Sequence, residues 1–389
     1  LLPLLAITMG DPGGIGPETI AGAWRCAAVH ACCRPFVVGH PEIMRRATKL
    51  RGTGVRVVPI GSPERAEPSP DVMPCLAYGA DDALAAPAGA IDARGGQAAY
   101  EAVMLAADLA LAGRVDGIVT APLNKAALWA AGHKYPGHTE LLAERCGVQD
   151  FAMMLYLPPS SLWGEGRDEG HSSTWHVANP EADSGRHALG PDAKGVERGE
   201  PSPSQAGLGV VHVTLHMALR DVFAQLTAEA VLAKCRLADG VMRRIHGRQP
   251  RIGVCALNPH AGEQGLFGDE ELRIIGPAVE QARSQGLDVT GPLPADALMV
   301  KARDGAFEAV VAMYHDQGHI ALKLLGMHRA VNVTLGLPIV RTSAAHGTAY
   351  DIAWQGRADC GGMVEAIRVA ARLVAVKDGA NETQKENHE

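Results

Sequence analysis

The chain has 389 residues, 47% of them hydrophobic and 20% charged, with a formal net charge of −7. That length is enough for a large buried core and suggests two or three domains. The acidic balance and an aromatic content of 4% argue against a general nucleic-acid binder, which needs basic surface and stacking rings.

The first residues, LLPLLAITM, are apolar but too short for a membrane span, and they lack a basic leader. They read as a first strand. The chain opens on Leu1 rather than Met, which suggests processing, truncation or a misplaced start. Strand 5–9 runs into Gly10-Asp11-Pro12-Gly13-Gly14-Ile15-Gly16-Pro17-Glu18. Glycines after a strand allow close backbone approach to a ligand, and Pro17 suits the first turn of a helix. This is not the G-x-G-x-x-G dinucleotide fingerprint. Helices are predicted over 17–29, 40–50 and 96–113. Strand 116–120 (DGIVT) then runs into Ala121-Pro122-Leu123-Asn124-Lys125. A helix over 139–146 and a strand over 151–156 follow.

Residues 157–206 break the alternation. They are dense in Gly, Ser, Pro and charge and show neither a period of 2 nor one of 3.6. Such a segment buries too little apolar surface to offset its ordering entropy, so it is expected to be a disordered surface insertion. His171, His176 and His187 lie inside it and are not expected to ligate a metal. The strands on either side are expected to be joinable by a short turn.

Beyond the insertion come three hydrophobic runs, each ending on a histidine. They are 208–216 (LGVVHVTLH), 251–260 (RIGVCALNPH) and 306–315 (AFEAVVAMYH). Runs of Val, Ala and Met bounded by Pro, Gly and Asp read as buried strands. Ligands in open α/β sheets bind outside the carboxyl ends of strands, so His216, His260 and His315 are candidates to converge on one metal ion. Taken singly, each is an ordinary turn or core histidine. Helices are predicted over 219–245, 269–285 and 363–376, and the tail from Lys377 is polar. The alternation of strand and helix predicts an α/β architecture with a largely parallel sheet. The eight cysteines include no C-x-x-C pair, and free thiols in a reducing cytoplasm are expected.

Eight motifs occur in one order: TMGDPGGIGPE, TAPLNKAAL, GHTELLAE, TLHMALRD, NPHAGE, GPLPAD, AMYHDQG and VNVTLGLPIVRTSAAHGTAYDIA. Together they resemble the 4-hydroxythreonine-4-phosphate dehydrogenase (PdxA) family over nearly the whole chain outside the insertion. The resemblance implies an isocitrate/isopropylmalate dehydrogenase-like fold, with two α/β domains flanking a cleft. Residues 1–130 with 300–389 would form the cofactor side. Residues 131–299 would form the metal, substrate and dimer side. It also implies a cytoplasmic homodimer with a shared active site, no nucleic acid or membrane partner, and NAD or NADP as cofactor. One divalent ion (Zn, Mg or Co) per subunit would be held by three histidines, two from one subunit and one from the other.

Carried onto this chain, the metal ligands become His216, His260 and His315. His138, Thr139, Lys323, Asn332 and Arg341 match substrate-binding positions. Asp296 and Asp316 match acidic residues beside the metal, and both are candidate catalytic groups. Asp316 could equally support the His315 ring. Asp11, Gly14, Gly336, His346 and Asp351 are candidate cofactor contacts, although turn geometry alone would account for Asp11. The implied reaction oxidises the C3 hydroxyl of 4-phosphooxy-L-threonine and then releases CO2. Two alternatives stay open. One is a related dehydrogenase of another phosphorylated hydroxy acid, such as phosphothreonate, or of a ring dihydrodiol. The other is a metabolite-binding protein that has lost catalysis.

Overall fold

The structure is a computed structural model that describes residues 2–159 and 207–385. Twelve strands form one sheet. In chain order they are β1 (Leu4–Thr8), β2 (Arg34–Gly39), β3 (Arg56–Ile60), β4 (Val72–Ala77), β5 (Gly117–Thr120) and β6 (Ala152–Leu157). Then come β7 (Leu208–His212), β8 (Ile252–Cys255), β9 (Val289–Leu293), β10 (Ala309–Ala312), β11 (Val331–Leu335) and β12 (Val340–Ala344). Their order across the sheet is β3-β4-β2-β1-β5-β12-β11-β6-β7-β10-β8-β9.

Two parallel blocks make up this sheet. The first runs from β3 to β12 and the second from β7 to β9. Three antiparallel pairings separate them, β12 with β11, β11 with β6, and β6 with β7. Three reversals leave the two blocks running in opposite senses. Strands such as β5 (GIVT) and β10 (AVVA) are buried throughout, as parallel strands covered by helices on both faces must be.

The mixed α/β fold with a large, mostly parallel, open sheet is therefore as expected. The direction change does not coincide with the expected division near residue 300. Strand β10 stands in the second block between β7 and β8, because its AVVA run needs two buried neighbours.

Two predicted helices are each two. Residues 219–245 divide into Leu219–Gln225 and Ala228–His246, because the Thr227 side chain accepts from the Ala230 amide and starts a new helix. Residues 17–29 divide into Gly16–Trp24 and Ala27–Cys32.

Strands β6 and β7 pair antiparallel with Leu157 opposite Leu208, so the flanks of the insertion meet as a short turn would require. The expected disorder of the insertion, with His171, His176 and His187, lies outside the described residues. All eight cysteines are free. No helix among the described residues is long and apolar enough to cross a membrane.

Candidate active site

Strands β7, β10 and β8 are adjacent and parallel, so the segments carrying His216, His315 and His260 all leave from the same end of the second block. None of the three histidines lies within its strand. β7 ends at His212, although its pairing with β10 continues as Val213 N–H donates to the Ala312 carbonyl at 2.8 Å. β10 ends at Ala312, and His315 opens the helix His315–Gly326.

The His216 and His315 rings face each other at 5.7 Å between centroids. They line a cavity of about 330 Å³ with Leu215, Met217, Tyr314 and Asp316. Each Nδ1 faces a carboxylate. His315 Nδ1 lies 2.6 Å from Asp316 Oδ1, and His216 Nδ1 lies 3.8 Å from Glu140 Oε1. Glu140 is near enough to His216 only for charge attraction. A carboxylate hydrogen-bonded to Nδ1 fixes the tautomer and leaves the Nε2 lone pair for a metal, as Asp316 does for His315, so that ring fits a divalent ion. Asp316 thus sits where it would orient the His315 ring.

His260 does not join them. It opens a segment, residues 260–264, that holds positive φ throughout, and its ring packs against Phe267 at 6.3 Å. Among the described residues no three His, Cys, Asp or Glu side chains form a group able to hold a metal ion.

Behind His315 stand two histidines not singled out from the sequence. His319 stacks on it at 3.8 Å with 12° between the planes, and His319 Nδ1 lies 3.0 Å from His212 Nε2. Burial pushes the His319 imidazole down to about 4, helped by the charges of His315 and Lys323. His212, fully buried, is held well below the usual imidazole range by burial and then by His319. The available signals were a polar residue inside a valine run and the i, i+4 spacing of His315 and His319. Lys323, one turn further, continues this face of the helix.

Across from these residues lies a polar wall built on β5, β11, β12 and the helix His138–Arg145. Arg341 is 3% exposed, yet its guanidinium meets only hydroxyls. It donates to Thr120 at 2.6 Å and to Thr334 at 3.1 Å. Burial lowers it to about 9, against the opposing charge of Glu140. Burial holds the His138 ring well below its ordinary range, and the Arg341 charge adds to that. Shielded His138 Nε2 and Asn332 Oδ1 have no hydrogen-bond partner among the described residues. Thr139 is buried beside them. Burial alone would raise Glu140, but His216, a backbone amide and Lys125 hold it below the usual carboxylate range. A buried cation whose hydrogen bonds go only to hydroxyls, beside unsatisfied polar atoms, is suited to an anionic polar ligand.

The candidate cofactor residues separate into two places. Asp11 is 1% exposed and already engaged, its carboxylate accepting from Gly13 N–H at 2.8 Å and Tyr350 O–H at 2.5 Å. Burial raises it above its ordinary value despite those two bonds. Gly14 packs so closely on Thr348 that a Cβ would lie 2.9 Å from the Thr348 Cβ. Glu18, fully buried, accepts from the Trp354 and Gly356 amides, and the Trp354 indole donates to the Pro12 carbonyl at 2.7 Å. The loop after β1 is thus sewn to the 346–356 loop, which carries half-buried His346 and exposed Asp351.

Gly336 is elsewhere, in the β11–β12 turn at the opposite end of β12 from His346. Its φ of +86° and the Asp150 carbonyl 2.2 Å from where a Cβ would stand account for the glycine on local grounds. Asp296 lies exposed in the first turn of helix Ala295–Arg303, with no side-chain hydrogen bond among the described residues.

The sequence profile of the family described as "Pyridoxal phosphate biosynthetic protein PdxA" matches residues 31–163 and 200–370. The chain belongs to the PdxA family. The gap in the match falls within the segment read as an insertion. A 4-hydroxythreonine-4-phosphate dehydrogenase from Geobacter metallireducens is 42% identical over 98% of each chain. A D-threonate 4-phosphate dehydrogenase from Pectobacterium atrosepticum is 40% identical over 95% of this chain and 99% of its own. The crystal structure of a PdxA relative, the 4-hydroxythreonine-4-phosphate dehydrogenase from Klebsiella pneumoniae, superposes with a TM-score of 0.75 at 38% identity. It covers 96% of this chain and 99% of that one.

Proposed function

We propose that this PdxA-family chain is an NAD(P)-dependent dehydrogenase that oxidises the C3 hydroxyl of 4-phosphooxy-L-threonine, the β-keto acid then losing CO2 to give 3-amino-2-oxopropyl phosphate. The observation that carries the reading is the buried Arg341 guanidinium, which hydrogen-bonds only to hydroxyls and lies beside unsatisfied His138 and Asn332. Arg341 and Lys323 supply charge-assisted donors for a phosphate. His138, Thr139 and Asn332 orient the rest of the substrate.

His216, His260 and His315 would hold a divalent ion, the set being completed by a second copy of the chain. When bound, that ion polarises the hydroxyl being oxidised and stabilises the negative charge that loss of CO2 develops. A nicotinamide cofactor, when bound, would supply the hydride acceptor. Asp316 would hold the His315 ring in one tautomer, the Glu140 charge would favour the His216 side of the site, and Asp296 would serve as an acid or base. The 346–356 loop would take the cofactor's adenine side, its shape kept by Asp11, Glu18 and Trp354.

A second copy is further supported by exposed apolar side chains on the segments that carry the candidate ligands, namely Met217, Phe223, Phe267, Ile320 and Leu324. Apolar side chains grouped on an exposed face mark an interaction surface. The eight free thiols suit a cytoplasmic enzyme.

A second reading is favoured by the Pectobacterium relative, namely D-threonate 4-phosphate as substrate. A steady-state assay of the purified protein, offering both compounds with NAD and with NADP, tests the proposal. The higher kcat/KM is expected with 4-phosphooxy-L-threonine. Preference for the threonate ester moves the substrate, and turnover of an unphosphorylated analogue at equal rate overturns the phosphate site.

A further inference from the structure

We infer that His319 and His212 are a positioning pair, which fixes the ring plane of His315 by stacking and by a buried hydrogen bond. The inference rests on the proposed ligand role of His315 and extends it to two residues outside the resemblance. An imidazole donates to a metal along a lone pair lying in the ring plane, so a ligand ring that rotates freely about χ2 loses affinity. The His315 backbone is set by the start of helix His315–Gly326, and Asp316 meets its Nδ1 at 2.6 Å, but that carboxylate is itself 69% exposed, so χ2 is left partly open.

His319 closes it. One helical turn on, its ring lies 3.8 Å from that of His315 at 12°, so rotation of either ring would drive atoms into the other. His319 is itself fixed by the 3.0 Å contact between its Nδ1 and His212 Nε2. His212 belongs to β7, the first strand of the second block, held between β6 and β10, and is fully buried. The chain of support runs from the sheet to His212, to His319 and then to the ligand ring.

Gly318 makes the approach possible. A Cβ there would lie 2.6 Å from His212 Nε2 and 2.5 Å from a Val210 methyl, so any other residue would push the helix off the strand. The segment HDQGH therefore encodes the ligand, the carboxylate on its Nδ1, the glycine that admits the strand, and the ring that stacks.

Two measurements test the pair. Co²⁺ binding to the full-length protein is followed by its visible absorption for the parent, His319→Phe, His319→Leu and His315→Ala. Loss of an outer support typically weakens metal affinity about 10- to 100-fold. That range is expected for His319→Leu, with a smaller loss for His319→Phe, which keeps a flat ring. Parent-like affinity in a folded His319→Leu protein overturns the pair. The second measurement needs no variant to fold. In the metal-free parent, ¹⁵N-histidine NMR should show ring protons of His315 shifted upfield, with cross-peaks to the His319 ring. Averaged, unshifted resonances overturn the positioning role. If His315→Ala binds Co²⁺ as tightly as the parent, the ligand reading of His315 falls. The NMR result still decides whether its ring is held.

Discussion

At the scale of single residues, Arg341 shows a conflict between stability and binding. Its guanidinium is buried among Thr120 and Thr334 hydroxyls, which satisfy donors without neutralising charge. A buried charge held by hydroxyls rather than by a hydrogen-bonded carboxylate is costly, and an apolar side chain of similar length removes that cost. Arg341→Met should therefore hold or raise Tm while sharply raising KM for a phosphorylated substrate, because a bound phosphate is gripped alike in ground and transition states. A variant that melts well below the parent would show that Arg341 is structural, and one with unchanged KM would remove it from the substrate site. Asp11 presents the reverse case. Its carboxylate is taken up by Tyr350 and Gly13, so what it does is hold a loop.

At the scale of elements, the second block is tied at one end by Glu308, just before β10. Its carboxylate is 2% exposed and accepts from Arg248 at 2.8 Å and from Arg251 at 2.6 Å. Burial works to raise this group, but the two arginines and the Arg251 amide outweigh it and hold it at about 2. A depressed carboxylate contributes stability that is complete above its unfolded value near 4.5 and is lost as pH falls toward about 2. Glu308→Gln should cost about 2 kcal/mol at neutral pH, a typical value for hydrogen bonds to a charged group. It should also flatten the fall in stability between pH 4.5 and 2. Equal acid limbs for parent and variant in urea titrations would count against the tie.

Much at this scale was legible in the sequence. The buried runs of β5, β6, β8 and β10 announced themselves by apolar content and flanking Gly, Pro and Asp. The run ending at His216 extended past β7 because residues 213 and 214 keep pairing with β10. The break before Thr227 was legible as a capping residue but was masked by continuous helical periodicity on both sides. The site was legible only in part. His216 and His315 could be placed together from strand ends alone. His212, His319 and Glu140 take their meaning from packing that no local spacing states, and the positive φ run at 260–264 has no periodic signature at all.

At the scale of the whole molecule, one chain supplies two facing histidines and exposes large apolar side chains on the segments that carry the candidate ligands. Leu324 is 83% exposed and Phe267 49%, on segments adjoining the site. A second copy would cover such side chains and supply what one chain lacks. Leu324→Asp combined with Phe267→Asp should turn a dimer into a monomer by sedimentation and lower kcat at least tenfold, with little change in the Tm of the monomer. A parent protein that is an active monomer at nanomolar concentration would end the shared-site reading.

The strand order also has a consequence for the protein's birth on the ribosome. β5, complete by residue 120, has β12 as its neighbour, and β12 ends at residue 344. Until those last residues emerge, β5 presents an open edge of unpaired amides and carbonyls, and β6 on the far side of the gap does so until β11 arrives. Exposed edges of this kind template pairing with other chains. The first half of the protein is thus synthesised long before it can close. The nascent chain must be shielded over more than two hundred residues of translation, and the hairpin of β11 and β12 is the wedge whose arrival joins the two blocks and ends that exposure.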